Sequence, residues 1–289
     1  MAKVPARCLA CTWSTRHRRY SSGWRPSRRP ALTTVRAALD AVRGPVALLT
    51  AIPVAGPTTG VASPAYALFP VVGLLIGGCL VLADVALREL LPAEPAAAAV
   101  VVALVVLTGG LHLDGLADSA DGLFGGRDPA RRLAIMDDPR NGAFALIAIS
   151  CVLLLKWTAL LSLDEWPRIA ALLLAPALAR WAVVAQLRLF TPARPSGMAF
   201  AARSGLSPRD LALATAVALA AALGVLWPGG ATLVPAALLV ALAFGWYATI
   251  RLGGITGDIC GATIEITEVA ILLLVASSIG EWGDTWAAV

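Results

Sequence analysis

The segment HLDGLADSADGLFGG, residues 112–126, carries aspartates at 114, 118 and 121. In a helix, spacings of four and three residues put all three carboxylates on one face. Like charges on one face repel, and a divalent cation neutralises them well. Mg²⁺ fits because it takes a few carboxylates and completes its shell with water and phosphate oxygens. Asp114, Asp118 and Asp121 are therefore candidate metal ligands. His112 adds a titratable group just before them, a candidate general base or phosphate partner. An ordinary solvated loop is a poorer description, because the acids alternate with Leu113, Leu116, Ala117 and Ala120 and no Lys or Arg interrupts them. Gly115 and Gly122 are expected to leave the backbone open to a bulky ligand.

Two further segments carry related chemistry. In RDPARRLAIMDDPRNGAFA, residues 127–145, Asp138 and Arg140 stand beside Asn141 and Gly142 at the mouth of an apolar run. An arginine fork suits phosphate through paired hydrogen bonds. In RLGGITGDICGATIEITEVAIL, residues 251–272, four glycines are expected to present backbone amides to an anion. Asp258 and Glu265 are seven residues apart, two helical turns on one face, with Glu268 three further on. Asp138, Arg140, Gly257, Asp258 and Glu265 are the candidate substrate-binding residues.

The elements that must position these groups are apolar. Of 289 residues, 58% are hydrophobic and 14% charged, against about 25% charged in soluble domains. Apolar blocks at Tyr66–Leu91, Ala96–Leu111, Ala143–Leu163, Arg168–Phe190, Leu211–Trp227, Ala231–Ile250 and Val269–Ile279 mostly approach the ~20 residues that span a bilayer as helix. The expected fold is all-α, a polytopic integral membrane protein with about seven transmembrane helices. Val46–Val54, broken at Pro53, is too short to span and is expected to be an interfacial or re-entrant helix.

Charge sets the sidedness. Ten of the 23 lysines and arginines lie in the first 43 residues, against one acid, Asp40. If each block crosses once, this arm shares a face with the loops 112–142, 191–210 and 251–268, which hold further arginines. The connectors PAEP, DEWP and PGG on the other face hold neither Lys nor Arg. The bias predicts that the long loops face the cytoplasm. The basic excess belongs to the arm and gives no reason to expect nucleic acid. Residues 1–34 read as a basic, disordered extension, and 35–289 as a single helical membrane catalytic domain. The arm has no apolar region of a secretory signal. Five scattered cysteines define no disulfide framework, and Cys8–Cys11 alone is a weak zinc signal.

GGLHLDGLADSADGLFGG (109–126), IMDDPRNGAFA (135–145) and RLGGITGDICGATIEITEVA (251–270) together resemble the cobalamin synthase family, the adenosylcobinamide-GDP ribazoletransferases. LLTAIPV (48–54) and ARWAVV (179–184) fit its weaker patterns, and the resemblance runs from about residue 35 to the C-terminus. Asp137 departs from it, where the family tends to a basic or other residue. The resemblance implies a multi-pass enzyme of the bacterial cytoplasmic (inner) membrane. It would use Mg²⁺ to transfer the cobinamide-phosphate moiety of adenosylcobinamide-GDP to α-ribazole or its 5′-phosphate, with release of GMP. The product is adenosylcobalamin or its 5′-phosphate, at the end of vitamin B12 biosynthesis. Asp114, Asp118 and Asp121 become metal ligands on the diphosphate. Asp258 and Glu265 become a second metal contact or orient the ribose. The residues alone also admit a CDP-alcohol phosphotransferase, a prenyltransferase or an ion-coupled transporter. Against the first, Asp-Gly-x-x-Ala-Arg is absent. Against the transporter, the acids cluster at one face, with Asp84, Lys156 and Arg180 as the within-span exceptions. Oligomeric state has no signature in the sequence.

Overall fold

A computed structural model describes the backbone of residues 35–53 and 66–277 and the side chains of 42–53 and 66–277. The basic arm, Cys8, Cys11 and the C-terminal tail lie outside the described residues.

Among the described residues the secondary structure is helical: α1 (Val35–Leu49), α2 (Phe69–Leu90, entered by a 3₁₀ turn at Tyr66–Leu68), α3 (Ala93–Thr108) and α4 (Leu111–Gly125). Then follow α5 (Pro129–Met136), α6 (Ala143–Leu161), α7 (Glu165–Leu189), α8 (Met198–Gly205), α9 (Pro208–Val225), α10 (Gly230–Leu252) and α11 (Gly257–Ser277). Six stretches, α2 with its entry turn and α6, α7, α9, α10 and α11, are long and apolar enough to cross a membrane. The pair α3 and α4, bent by 90°, passes the same test only together, as a broken span or a re-entrant loop, so the count is six, or seven with this pair. The protein is therefore a polytopic all-α membrane protein, as the apolar blocks imply.

Three boundaries differ from the sequence expectation. The expected helix at Val46–Val54 is instead the end of α1, which closes at Leu49; Pro53 disfavours helical backbone at Ile52. The block Ala96–Leu111 is interrupted by Gly109 and Gly110, both at positive φ (63° and 69°). That conformation suits glycine and lets α4 leave at its steep angle. The last span is not Val269–Ile279 but begins at Gly257. Residues 257–268 are thus transmembrane helix and not part of a long loop, and only 253–256 connect α10 to α11. Unbroken apolar blocks stop short of these turns because Asp258, Glu265 and Glu268 lie in them, although the helix as a whole is apolar enough to cross a membrane.

The centre of the bundle is α7, buried over most of its length, from Ala170 to Leu187. α2 packs against it through Gly73 and Gly77, one helical turn apart. A Cβ on Gly73 would lie 2.5 Å from Ala177 Cα, and one on Gly77 2.6 Å from Leu172 O. Small residues at this spacing let membrane helices touch backbone to backbone. α11 packs against α7 from another side. At the α3–α4 break, α11 and α4 meet across Gly115 and Gly261, where a Cβ on Gly115 would fall 2.9 Å from Asp258 O. Gly115 thus serves helix contact, and it also borders the cavity described below. Gly122 likewise packs on α5, its Cα facing Arg132 and Met136.

The basic loops gather at one end of the bundle. Arg132 Nη1 donates to Arg251 O at 3.0 Å, and Arg251 Nη2 to Leu123 O at 2.9 Å. Arg194 Nη1 reaches Asp137 Oδ1 at 2.8 Å. Beside it, residues 191–193 and 255 form a two-residue parallel bridge, with Ala193 N to Ile255 O and Ile255 N to Thr191 O both 2.9 Å.

Glycine contact rather than composition should set α2–α7 stability. Gly77→Leu should destabilise the detergent-solubilised protein by about 1–3 kcal/mol or more. Gly78→Leu, where an added Cβ meets nothing within 4 Å, should leave the melting temperature nearly unchanged. Equal melting temperatures for the two variants would refute this packing account.

Candidate active site

Asp114, Asp118 and Asp121 all lie on α4, in the half of the broken span that runs from the break at Gly110 toward the basic loops. Asp114 is exposed, Asp118 partly buried and Asp121 buried. Asp114, Asp121, Asp137 and Asp258 all oppose the charge on Asp118. Asp121 has a further task. Its carboxylate accepts the amide of Gly142 at 2.5 Å and that of Ala145 at 3.0 Å, capping the start of α6. An anion there also favours the helix dipole. Among the described residues no three His, Cys, Asp or Glu side chains stand close enough to hold one metal ion. The helix therefore presents Asp114 and Asp118, while Asp121 points into the α6 N-terminus.

Asp258 opens α11 beside Gly115. Thr256 caps that helix: its Oγ1 accepts the amide of Ile259 at 3.2 Å and lies 3.2 Å from Asp258 Oδ2. The tightness of the α4–α11 contact brings Asp258 into the company of Asp114. Gly257 stands beside them, near Met198 of α8.

These residues border a cavity of about 200 Å³. His112, Asp114, Gly115, Asp258 and Gly261 line one side of it; α1, α7 and α8 close the rest with apolar side chains and the turn at Tyr66 adds a phenol. The sequence offered no sign that Tyr66, Val183, Leu187, Ala199 or Ala202 belong to a site. Apart from the Tyr66 phenol they are ordinary apolar residues, and only the folded bundle brings them to the carboxylates.

The structure separates the remaining candidates from this cavity. Asp138 and Arg140 pair with each other in the loop after α5: Arg140 Nε to Asp138 Oδ1 is 3.0 Å and Nη2 to Oδ2 is 2.7 Å. Arg140's side-chain and backbone hydrogen bonds hold the Asp138 carboxyl down to about 2, well below the usual range. The Arg140 side chain is 87% exposed, so this pair is a surface feature of the same end. Glu265 lies deeper. Its Oε2 accepts from Lys156 Nζ at 2.7 Å, and it is 4% exposed. Lys156 also binds Glu268, whose other oxygen takes Arg180 Nη1. Arg180, with no exposed surface, has Nη2 3.4 Å from His112 Nδ1. Two cations thus balance two anions inside the bundle. The other within-span exception, Asp84, is bound by Arg168 through Nε and Nη2 at 2.6–3.0 Å. His112 is the junction between the buried charges and the cavity.

Fold and site define a multi-pass helical membrane protein that gathers carboxylates beside an apolar cavity at one end of its bundle. Residues 41–276 match the model of the cobalamin-5-phosphate synthase family, and the chain belongs to that family. It is 44% identical over 223 residues to the adenosylcobinamide-GDP ribazoletransferase of Stutzerimonas stutzeri strain A1501, covering 73% of this chain and 86% of the relative. Identity is 40% over 228 residues to the protein of that name from Roseiflexus sp. strain RS-1, with 78% and 84% covered. It is 41% over 252 residues to that of Pseudomonas paraeruginosa strain PA7, with 84% of this chain and all of the relative covered. No solved structure matches. The match does not favour the alternatives of CDP-alcohol phosphotransferase, prenyltransferase or transporter.

The buried quartet makes a quantitative demand. Lys156→Met leaves Glu265 without its cation and should cost about 3–5 kcal/mol, with loss of folded protein. Lys156→Met combined with Glu265→Gln restores the charge balance and should recover most of that stability. Thermal melts of the two variants in detergent read the difference; no recovery in the double variant would mean that packing rather than charge holds this region.

Proposed function

We propose that the protein is an adenosylcobinamide-GDP ribazoletransferase, acting at the end of cobalamin synthesis. It transfers the cobinamide-phosphate moiety of adenosylcobinamide-GDP to α-ribazole or its 5′-phosphate. The products are adenosylcobalamin or its 5′-phosphate and GMP. The observation that carries this reading is the family match over residues 41–276, which includes every residue lining the cavity.

In the reaction a ribose hydroxyl oxygen bonds to the phosphorus attached to cobinamide. The bond from that phosphorus to the oxygen of the GMP phosphate breaks, and the hydroxyl proton passes to a base. His112, Asp114 and Asp258 border the cavity where this chemistry would occur, and each has an atom able to accept a proton. Asp258 is the group placed to orient the acceptor's ribose. The bundle closes most of this space with apolar side chains, which excludes water that would otherwise compete as the nucleophile.

We further propose that Mg²⁺ is required. The donor set suits it: carboxylate oxygens with no basic side chain interleaved, on a helix whose like charges need a cation. Mg²⁺ commonly binds through one or two carboxylates together with substrate phosphates, so a complete protein cage is not needed. Asp114 and Asp118 would hold it, and Asp121 would do so only with lone pairs not used by α6. When bound, the ion offsets charge developing on the leaving phosphate. Glu265, held by Lys156, contributes through the charge balance behind His112.

We place the enzyme in the bacterial cytoplasmic (inner) membrane with the site end facing the cytoplasm. The support is the arginine content of the loops at that end, 127–140, 191–210 and 251, against connectors at the other end without Lys or Arg. An alkaline phosphatase fusion after Ser204 should be inactive and one after Ser162 active; the reverse pattern would invert the topology.

Activity is tested with purified protein, Mg²⁺, adenosylcobinamide-GDP and α-ribazole, assayed for GMP. Asp114→Asn and Asp118→Asn should each lower turnover on the order of 10²-fold or more and raise the Mg²⁺ needed for half-maximal rate. Near wild-type GMP release from both variants at ordinary Mg²⁺ would remove the metal assignment while leaving the overall reaction standing.

A further inference from the structure

The cavity beside Asp114 and Asp258 has two unlike sides, and the two proposed substrates differ in a way that matches them. Away from the carboxylates its wall is built by Leu49, Phe69, Val183, Leu187, Ala199 and Ala202. These side chains offer no hydrogen-bond donor or acceptor; Tyr66, with one hydroxyl, and Cys260 also line the cavity. At about 200 Å³ the space lies below the ~300–1,000 Å³ typical of pockets for drug-sized ligands. It has room for one flat bicyclic ring.

Three ring systems compete for it. A corrin macrocycle is far too bulky. Guanine has the right size, but its edge carries several donors and acceptors, more than the single Tyr66 hydroxyl can meet, and burying the rest against hydrocarbon without partners is unfavourable. The benzimidazole base of α-ribazole is flat and bicyclic, carries a single acceptor nitrogen that one hydroxyl such as that of Tyr66 can meet, and is otherwise apolar, so it gains free energy by leaving water. We propose that the apolar part of this cavity is the acceptor subsite and takes the base of α-ribazole, while the corrinoid and guanine stay outside it. The proposal rests on the ribazoletransferase reading and adds which substrate enters the protein.

The orientation follows from the walls. With its base between α7 and α8, the acceptor turns its ribose toward His112, Asp114 and Asp258, the polar side of the cavity. The small side chains of Ala199 and Ala202, both nearly fully buried, keep the space open on the α8 side. Specificity for the base then depends on cavity volume and on the scarcity of polar partners in its wall. An extra methylene against such a wall typically changes discrimination about 10- to 200-fold.

Binding of α-ribazole alone to the purified full-length protein, by titration calorimetry, reads this subsite without requiring turnover. Ala202→Phe should fill the space and weaken α-ribazole binding at least about 10-fold, while the KM for adenosylcobinamide-GDP stays within about twofold. Ala202→Val, a milder filling, should give the same direction with a smaller change if the phenylalanine variant fails to fold. Wild-type protein should bind an α-riboside of adenine at least about 10-fold more weakly than α-ribazole. Unchanged α-ribazole affinity in folded Ala202 variants, a rise in the KM for adenosylcobinamide-GDP instead, or equal affinity for the adenine riboside would each overturn the subsite. Absence of GMP release from the wild-type protein with both substrates would overturn the proposed activity instead, so the two failures are distinct.

Discussion

Four charges that never meet water set the terms for this fold. Lys156, Arg180, Glu265 and Glu268 come from three spans and are each nearly or fully buried. An isolated ion in such surroundings is strongly disfavoured, and it is tolerated only when paired and hydrogen-bonded. Here two cations face two carboxylates, with Glu268 bridging Lys156 and Arg180. α6, α7 and α11 must therefore stand in one register, since a slip of a helical turn would strand a charge in hydrocarbon. Through Arg180 the same group reaches His112, so the register of the bundle also sets where the site begins.

Close helix contact supplies the second constraint. Hydrocarbon does not drive membrane helices together as water drives soluble ones; packing and polar contacts do so. Gly73 and Gly77 admit the backbone of α7, and Gly115 with Gly261 joins α4 to α11. The second contact has a chemical result. It draws Asp258 toward Asp114 across a junction with no side chain between them, which concentrates negative charge beside the cavity. Asp121, spent on the amides that open α6, fixes the angle at which the aspartate helix meets the bundle.

The broken span explains why polar chemistry can sit within a membrane fold. Irregular backbone is tolerated at depth only where protein or a water-lined space surrounds it. The turn at Gly109–Gly110 is followed at once by His112 and then by a cavity open to Asp114. One bundle thus brings apolar side chains and carboxylates to the same cavity.

What the sequence determined by itself is considerable. Apolar block lengths, with the requirement that backbone hydrogen bonds close within each segment, dictate a multi-pass helical protein. The spacing of Asp114 and Asp118 dictates a shared helical face, and the motifs at 109–126, 135–145 and 251–270 carry the family. Arginine placement separates the two ends. Tertiary structure decided the rest, because the deciding forces act between residues far apart in the chain. Glu265 and Glu268 look like loop acids until Lys156 and Arg180 are seen to neutralise them, and this is why the last span begins at Gly257 and not at Val269. Asp121 shares its spacing with Asp114 and Asp118, yet its partner amides at Gly142 and Ala145 belong to another helix. Asp138 and Arg140 pair with each other at the surface, apart from the cavity, which their sequence does not reveal. The cavity wall had no signal at all, since Val183, Leu187, Ala199 and Ala202 are apolar residues among many. A wall is defined by which helices stop short of touching, and that is a property of packing, not of composition or period.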